Sequence, residues 1–249
     1  MRRGRNLFWI ILFAAAGCHS LGGSAALPTY SAMNGQTARA ILAGRADALH
    51  SLTAQCEVTL DRGDGHAVRL DAALVMEPPN LIRMRAWKLG QAVFDLTLRP
   101  DGLWIEVPPE ASKHGEVIPA TLNAAQVSRQ LTWITGGFFS AMDLKTSGNL
   151  TFSRILSDGT TAVCDVDPAT VTARRFSLLD STGAVRFTLD LAAYRNFDGI
   201  IWPTHLTATE LAHDGDKGGH IDILFEDVEF NTELAGQAFV PPPTAKRQP

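Results

Sequence analysis

Cys18 is the residue whose setting most plainly specifies a reaction. It follows Ala15, Ala16 and Gly17, an apolar run from Leu7 to Ala16, and three cations, Arg2, Arg3 and Arg5. A basic stretch, a short apolar stretch and small residues, in that order, make an export leader. The apolar run is too short to span a bilayer, which takes roughly 20 apolar residues. Small side chains leave room for a peptidase ahead of Cys18, and a thiolate is a good acyl acceptor. The setting leaves the Cys18 sulfur open to acylation. The same leader also allows an ordinary cut near Ala26 that discards Cys18.

Other reactive side chains form no ordered set. His213, Asp214, Asp216 and His220 gather around a turn, but Gly215, Gly218 and Gly219 intervene. A solvated hairpin turn is the expectation there, because a metal needs converging ligands and a supporting shell. No H-E-x-x-H, G-x-S-x-G, phosphate loop or G-x-G-x-x-G occurs. Cys56 and Cys164 fall on the apolar side of alternating runs, where thiols are inert core residues. Export permits a disulfide between them, and two buried free thiols are equally open. No catalytic residue, metal or cofactor is expected beyond a covalent lipid on Cys18.

The elements that must position these residues follow from hydrophobic period. Residues 18–34 are rich in Gly, Ser, Ala and Pro and read as a flexible tether. Gln36 to His50 has helical spacing, with Ala40, Ile41, Ala43, Ala48 and Leu49 near the 3.6 period. The period then becomes two: Leu52, Ala54, Cys56, Val58 and Leu60 alternate with Thr53, Gln55, Glu57 and Thr59, a half-buried strand. Strands are predicted over Val68–Met76, Leu81–Trp87, Ala92–Leu98 and Leu103–Val107, joined by short turns and therefore antiparallel. Asn123 is a candidate cap for a helix through Trp133 that Gly136 and Gly137 end. Further strands are placed near Leu150–Leu156, Thr161–Val166, Ala173–Leu179, Val185–Tyr194, Thr204–Leu211 and His220–Phe230. Residues 241–249 read as a Pro-rich, frayed tail. The expected fold is α+β, mostly antiparallel: a curled open β-barrel, or half-barrel, covered by a few helices over residues 35–240.

Composition narrows the partners. Residues 1–17 hold three Arg and no acid, so 19 basic and 26 acidic residues remain after them, a net charge of −7. No basic stripe survives, which argues against nucleic acid. A curled sheet with an incompletely filled interior is a natural container for an apolar ligand. By alternation, Val58, Leu70, Leu74, Met84, Phe94 and Leu96 are the candidate lining of such a cavity. Trp87, Trp104, Trp133 and Trp202 either line it or fill an ordinary core. Arg83 and Arg85 alternate with Ile82 and Met84 and are expected to face outward.

Several short motifs, in order, resemble the LolA/LolB-like lipoprotein carriers and acceptors of the bacterial periplasm. They are the helix into strand over Leu42 to Leu60, Pro79-Asn80-Leu81, Asp101-Gly102-Leu103-Trp104 before Pro108, and Phe239-Val240-Pro241-Pro242. The stretches Asp198-Gly199 to Pro203 and Asp227 to Asn231 resemble late strands of related exported proteins. The resemblance spans roughly residues 38–243 and implies an open barrel with a hydrophobic cavity for acyl chains. The Arg that latches the soluble carrier's lid is replaced by Pro78, which cannot donate such bonds. Ala15-Ala16-Gly17-Cys18 resembles the bacterial lipobox, with Ala15 where Leu is usual, and the resemblance implies cleavage before Cys18 and attachment of lipid to its sulfur. Lipidation makes the chain acceptor-like, and Leu89 in a hairpin turn would correspond to the acceptor's protruding apolar residue, touching membrane or cargo. His19, not Asp, follows the cysteine, which by resemblance to the enteric sorting rule points to the outer membrane.

The expected function is thus a non-catalytic, monomeric, membrane-anchored lipoprotein of the bacterial envelope, facing the periplasm. It would bind an acyl chain or the lipidated end of another lipoprotein. Its expected partners are membrane lipid and other lipoproteins or a periplasmic carrier. Two alternatives stand beside it: a scaffolding lipoprotein with a packed core that binds a protein, and an exported hydrolase.

Overall fold

The computed structural model describes residues 25–61, 63, 66–112, 124–148, 150–211 and 218–248. Asn34 caps the first helix, α1 (Gly35–Asp47), by accepting from the Thr37 N–H at 2.9 Å. Ala38 and Leu42, four residues apart, are its buried face. The strands that follow are β1 (Leu52–Asp61), β2 (Ala67–Glu77), β3 (Leu81–Lys88), β4 (Gln91–Arg99) and β5 (Gly102–Glu106). Two helices, α2 (Pro109–Ser112) and α3 (Ala124–Ile134), and a 3-10 turn over Gly137–Ser140 come next. The second run of strands is β6 (Lys145–Ser147), β7 (Thr151–Ile155), β8 (Thr161–Asp167), β9 (Thr172–Leu179), β10 (Val185–Phe197), β11 (Ile200–Glu210), β12 (His220–Phe230) and β13 (Lys246–Arg247).

These strands make one antiparallel sheet of 13, in the order β13-β5-β4-β3-β2-β1-β12-β11-β10-β9-β8-β7-β6. Two meanders are thus sewn together where β1 pairs with β12. The sheet curls but does not close, the expected open half-barrel with helices over it. Alternation puts one apolar row across eight neighbouring strands: Phe152, Cys164, Phe176, Leu189, Ala208, Ile221, Leu60 and Val68. A second row runs through Ile105, Leu96, Met84, Leu74, Ala54 and Val228. Because the strands alternate in direction, the ends of the sheet are two distinct rims. One receives α1 and the β10–β11 turn; the other carries the β3–β4, β7–β8 and β9–β10 turns.

The helical cover lies on the inner face. Arg39 of α1 donates to the carbonyls of Phe139 and Ala141 at 2.9 and 2.8 Å, fixing α1 to the 3-10 turn. Gly136 ends α3 at φ +82, and a Cβ there would meet the Ala46 side chain at 3.2 Å, so both backbone angle and space demand glycine. Trp133 stacks on Phe176 with centroids 5.0 Å apart, and Phe138 meets Phe139 and Phe176 edge-on.

Segments near both ends of the chain make backbone contacts with the sheet. Ala25 bridges to Asn196, and the Tyr30 N–H donates to the Ala169 carbonyl at 2.8 Å, so residues 25–34 lie along the α1 rim. The C-terminal segment adds β13 beside β5, with Gln248 N–H donating to the Leu103 carbonyl at 2.8 Å. Before that it crosses the outer face of β3, where the Ala238 carbonyl accepts from Arg83. Edge pairing of a two-residue strand leaves no periodic signature. The proposed cap Asn123 lies outside the described residues.

Candidate functional site

The six residues expected to line an acyl cavity do share the inner face. Val58 pairs with Leu70, Leu74 with Met84, Met84 with Leu96, and Ala86 with Phe94. Five are buried, and Met84 is half-buried against the same cluster. α3 comes against β4, the strand that carries Phe94 and Leu96.

On the β7–β10 side the interior is filled by rings. Trp133, Phe138, Phe139, Phe152 and Phe176 interlock there, four of the five at 2 % exposure or less. A cavity of about 50 Å³ does exist, but at the α1 rim, walled by α1, the end of α3, and β9, β10 and β11. None of the six expected residues lines it. Trp133 and Trp202 do, with Leu42, Arg45, Leu191 and Tyr194. The Tyr194 hydroxyl donates to the Ala173 carbonyl at 2.7 Å, and burial raises its pKa. Trp104 instead lies at the outer edge under the guanidiniums of Arg99 and Arg247, and Trp87 is half-buried. Arg45 escaped the sequence reading; a lone Arg in a weakly patterned helix gives no signal.

Leu89 stands out from the sheet. It is 94 % exposed at φ +50, followed by Gly90 at φ +78, in the two-residue turn between β3 and β4. Asn, Asp or Gly normally occupies such a turn, so Leu89 bears two costs, backbone strain and exposure. Ile155 and Val185 are exposed at the same rim, as is Leu211 at the end of β11. Met142, 94 % exposed, stands beside Asp143, which pairs with Arg154 near that rim.

The polar candidates resolve differently. Arg83 faces outward as expected but lies beneath the C-terminal segment, donating to both carboxylate oxygens of the buried Asp95 at 3.0 and 2.8 Å. Arg85 is exposed. His213, Asp214 and Asp216 lie outside the described residues, as does Cys18. His220 instead meets Asp222 at 3.4 Å on the sheet's outer face, and Asp222 also meets His205 at 3.3 Å. Among the described residues no group of three or more His, Cys, Asp or Glu could hold a metal. Cys56 and Cys164 are both free and buried. β1 and β8 stand five strand positions apart, about 24 Å along the sheet, whereas a disulfide needs Cα atoms within about 7 Å. Burial, then Glu226, pushes the Cys56 thiol up to about 12, and burial, then Asp165, raises Cys164 well above the usual thiol value.

No family model and no curated protein matches the sequence. Solved structures do match its shape. An outer membrane lipoprotein-sorting protein domain from Vibrio parahaemolyticus aligns with a TM-score of 0.56 at 14 % identity, over 83 % of this chain and 97 % of that one. A LolA superfamily protein from Nitrosomonas europaea aligns at 0.54 and 10 % identity, over 84 % and 99 %. The fold is LolA/LolB-like. A DUF1329 family protein from Desulfovibrio piger shares it, at 0.59 and 12 % identity over 82 % and 96 % of the two chains. In the LolA/LolB-like fold of this chain the helical cover is α1, α3 and the 3-10 turn, with Arg39 joining α1 to the turn.

Proposed function

We propose that the chain is a lipid-anchored envelope lipoprotein that receives an acyl chain, or the lipidated end of another lipoprotein, against the inner face of its sheet. The observation that carries this reading is the apolar face running unbroken from β5 to β7 beneath a cover of two helices and a turn. Sixteen methylenes, each near the ~10–15 Å³ of cavity volume that holds one water, need on the order of 200 Å³. The cavity at the α1 rim holds about 50 Å³, so loading requires α3 and the 3-10 turn to swing away from the sheet. Burying such a chain is worth on the order of 10 kcal/mol, and no catalytic group is needed.

The anchor in this reading is lipid on Cys18, with the protein at the outer membrane facing the periplasm. Ala25 is held at the α1 rim, so the tether leaves from the end opposite Leu89. Leu89 and its apolar neighbours then face away from the anchor, placed to meet a carrier or an incoming lipoprotein. Supporting this are the LolA/LolB-like fold and the two costs that Leu89 bears.

The ring cluster around Phe176 favours a second reading, a scaffold with a permanently packed core. Mass spectrometry of the full-length protein, purified in a mild detergent, separates the two. The carrier reading expects co-purified acyl lipid and a rise in melting temperature with added fatty acid. An empty protein that gains no stability supports the scaffold. Labelled palmitate failing to enter the chain, or Cys18→Ala remaining membrane-bound, would remove the anchor.

A further inference from the structure

The cavity at the α1 rim carries polar groups that acyl binding leaves unused. Trp202 is 2 % exposed, and its Nε1 is buried with no hydrogen-bond partner. An indole N–H can only donate, and leaving it unpaired in the interior costs about 1–3 kcal/mol. The ring itself packs edge-on to Phe225 and Phe230. A phenylalanine would satisfy that packing without the stranded donor.

Arg45 reaches the same cavity from α1. Its guanidinium donates to the backbone carbonyls of Thr170 and Val171. No carboxylate of the described residues lies within ion-pair distance of it. Burial lowers its pKa, while Tyr30, through charge and a side-chain hydrogen bond, and Tyr194 act the other way. The Thr135 hydroxyl donates to the Leu131 carbonyl at 2.9 Å, and the Thr170 and Thr172 hydroxyls bond each other at 2.8 Å; no hydroxyl oxygen accepts from Trp202 Nε1. The remaining wall is apolar: Leu42, Leu49, Leu191 and Ile201.

We propose that this cavity is a carboxylate-binding site, in which Arg45 supplies the charge and the Trp202 indole N–H a directed hydrogen bond. At about 50 Å³, it has room for a carboxylate and a short alkyl stub. A water would answer Trp202 but not the charge on Arg45; a carboxylate answers both. The ligand is a small monocarboxylate or the carboxylate end of a fatty acid. The site stands whether or not the sheet's inner face takes an acyl chain.

The test is ¹⁵N indole spectroscopy of the full-length protein in a non-ionic detergent, with the Trp202 signal assigned by its loss in Trp202→Phe. Acetate, butyrate and decanoate are titrated, with chloride as the control. A saturable shift of the Trp202 N–H by carboxylate is expected, weakened about tenfold or more in Arg45→Gln and less in Arg45→Lys. Decanoate binding far tighter than acetate assigns the site to fatty acids; equal binding assigns it to small monocarboxylates. If Arg45→Gln does not fold, calorimetry on Trp202→Phe replaces it, with weaker carboxylate binding expected. No saturable shift, an equal shift with chloride, or unchanged affinity in the variants would leave a buried water only and overturn the proposal.

Discussion

Leu131→Ala tests whether α3 is a lid or a fixed part of the core. Leu131 is 2 % exposed on the inner side of α3 and takes no part in the proposed acyl face. Lifting the cover exposes Val127, Leu131, Trp133, Phe138 and Phe139, all buried. At about 1.5–3 kcal/mol each, that costs on the order of 10 kcal/mol, close to what a 16-carbon chain returns. Opening and loading are therefore near balance, and apparent affinity is set by how rarely the lid opens. Truncating Leu131 weakens the closed state by about 2–5 kcal/mol and leaves the acyl contacts intact. A loss of only 2 kcal/mol should tighten fatty-acid binding about 30-fold. The assay is displacement of a fluorescent fatty acid, with urea melts confirming that the variant is folded. Affinity that stays the same or falls in a folded variant would refute the lid.

Three further outcomes are expected. Leu89→Asn should hold or raise stability by up to about 1 kcal/mol, since Asn suits the left-handed turn, while Leu89→Glu leaves the melting temperature unchanged and lowers lipoprotein transfer to vesicles. A disulfide-exchange reagent should react with no thiol in the folded lipidated protein and with two, Cys56 and Cys164, in urea, because burial holds both as protonated thiols. Asp158, Asp167 and Asp180 have folded pKa values lowered first by Thr160, Thr170 and Thr182 hydrogen bonds respectively. Their stabilisation is full above the unfolded value of about 4 and lost as pH falls through the folded values; denaturation followed by circular dichroism should show this, and Asn at all three positions should flatten the acid limb.

The strands were legible because one face of each meets the core. Leu52 to Leu60 alternates in sequence and in burial alike. Lys145–Ser147 is exposed at every residue and Lys246–Arg247 is only two residues long, so neither edge strand carries a pattern; position alongside β7 and β5 makes them strands. The inner face could likewise be read as apolar, but not whether it is filled. That depends on where α3 delivers Trp133 and where Gly136 and Gly137 turn Phe138 and Phe139, which is tertiary information. Leu89 was visible as an apolar residue in a turn, and only the fold shows it standing clear of the hairpin. Arg45 and Trp202 lie far apart in the chain, and only the fold brings both to the wall of one cavity.

The most direct test of the central claim is photocrosslinking with a palmitate analogue carrying a diazirine near its methyl end, followed by mapping of the adducts by mass spectrometry. Insertion into the peptides bearing Val58, Leu70, Leu74, Met84, Phe94 and Leu96 is the predicted result. Labelling confined to the outer face or the exposed rim, with those peptides unmodified, would contradict it.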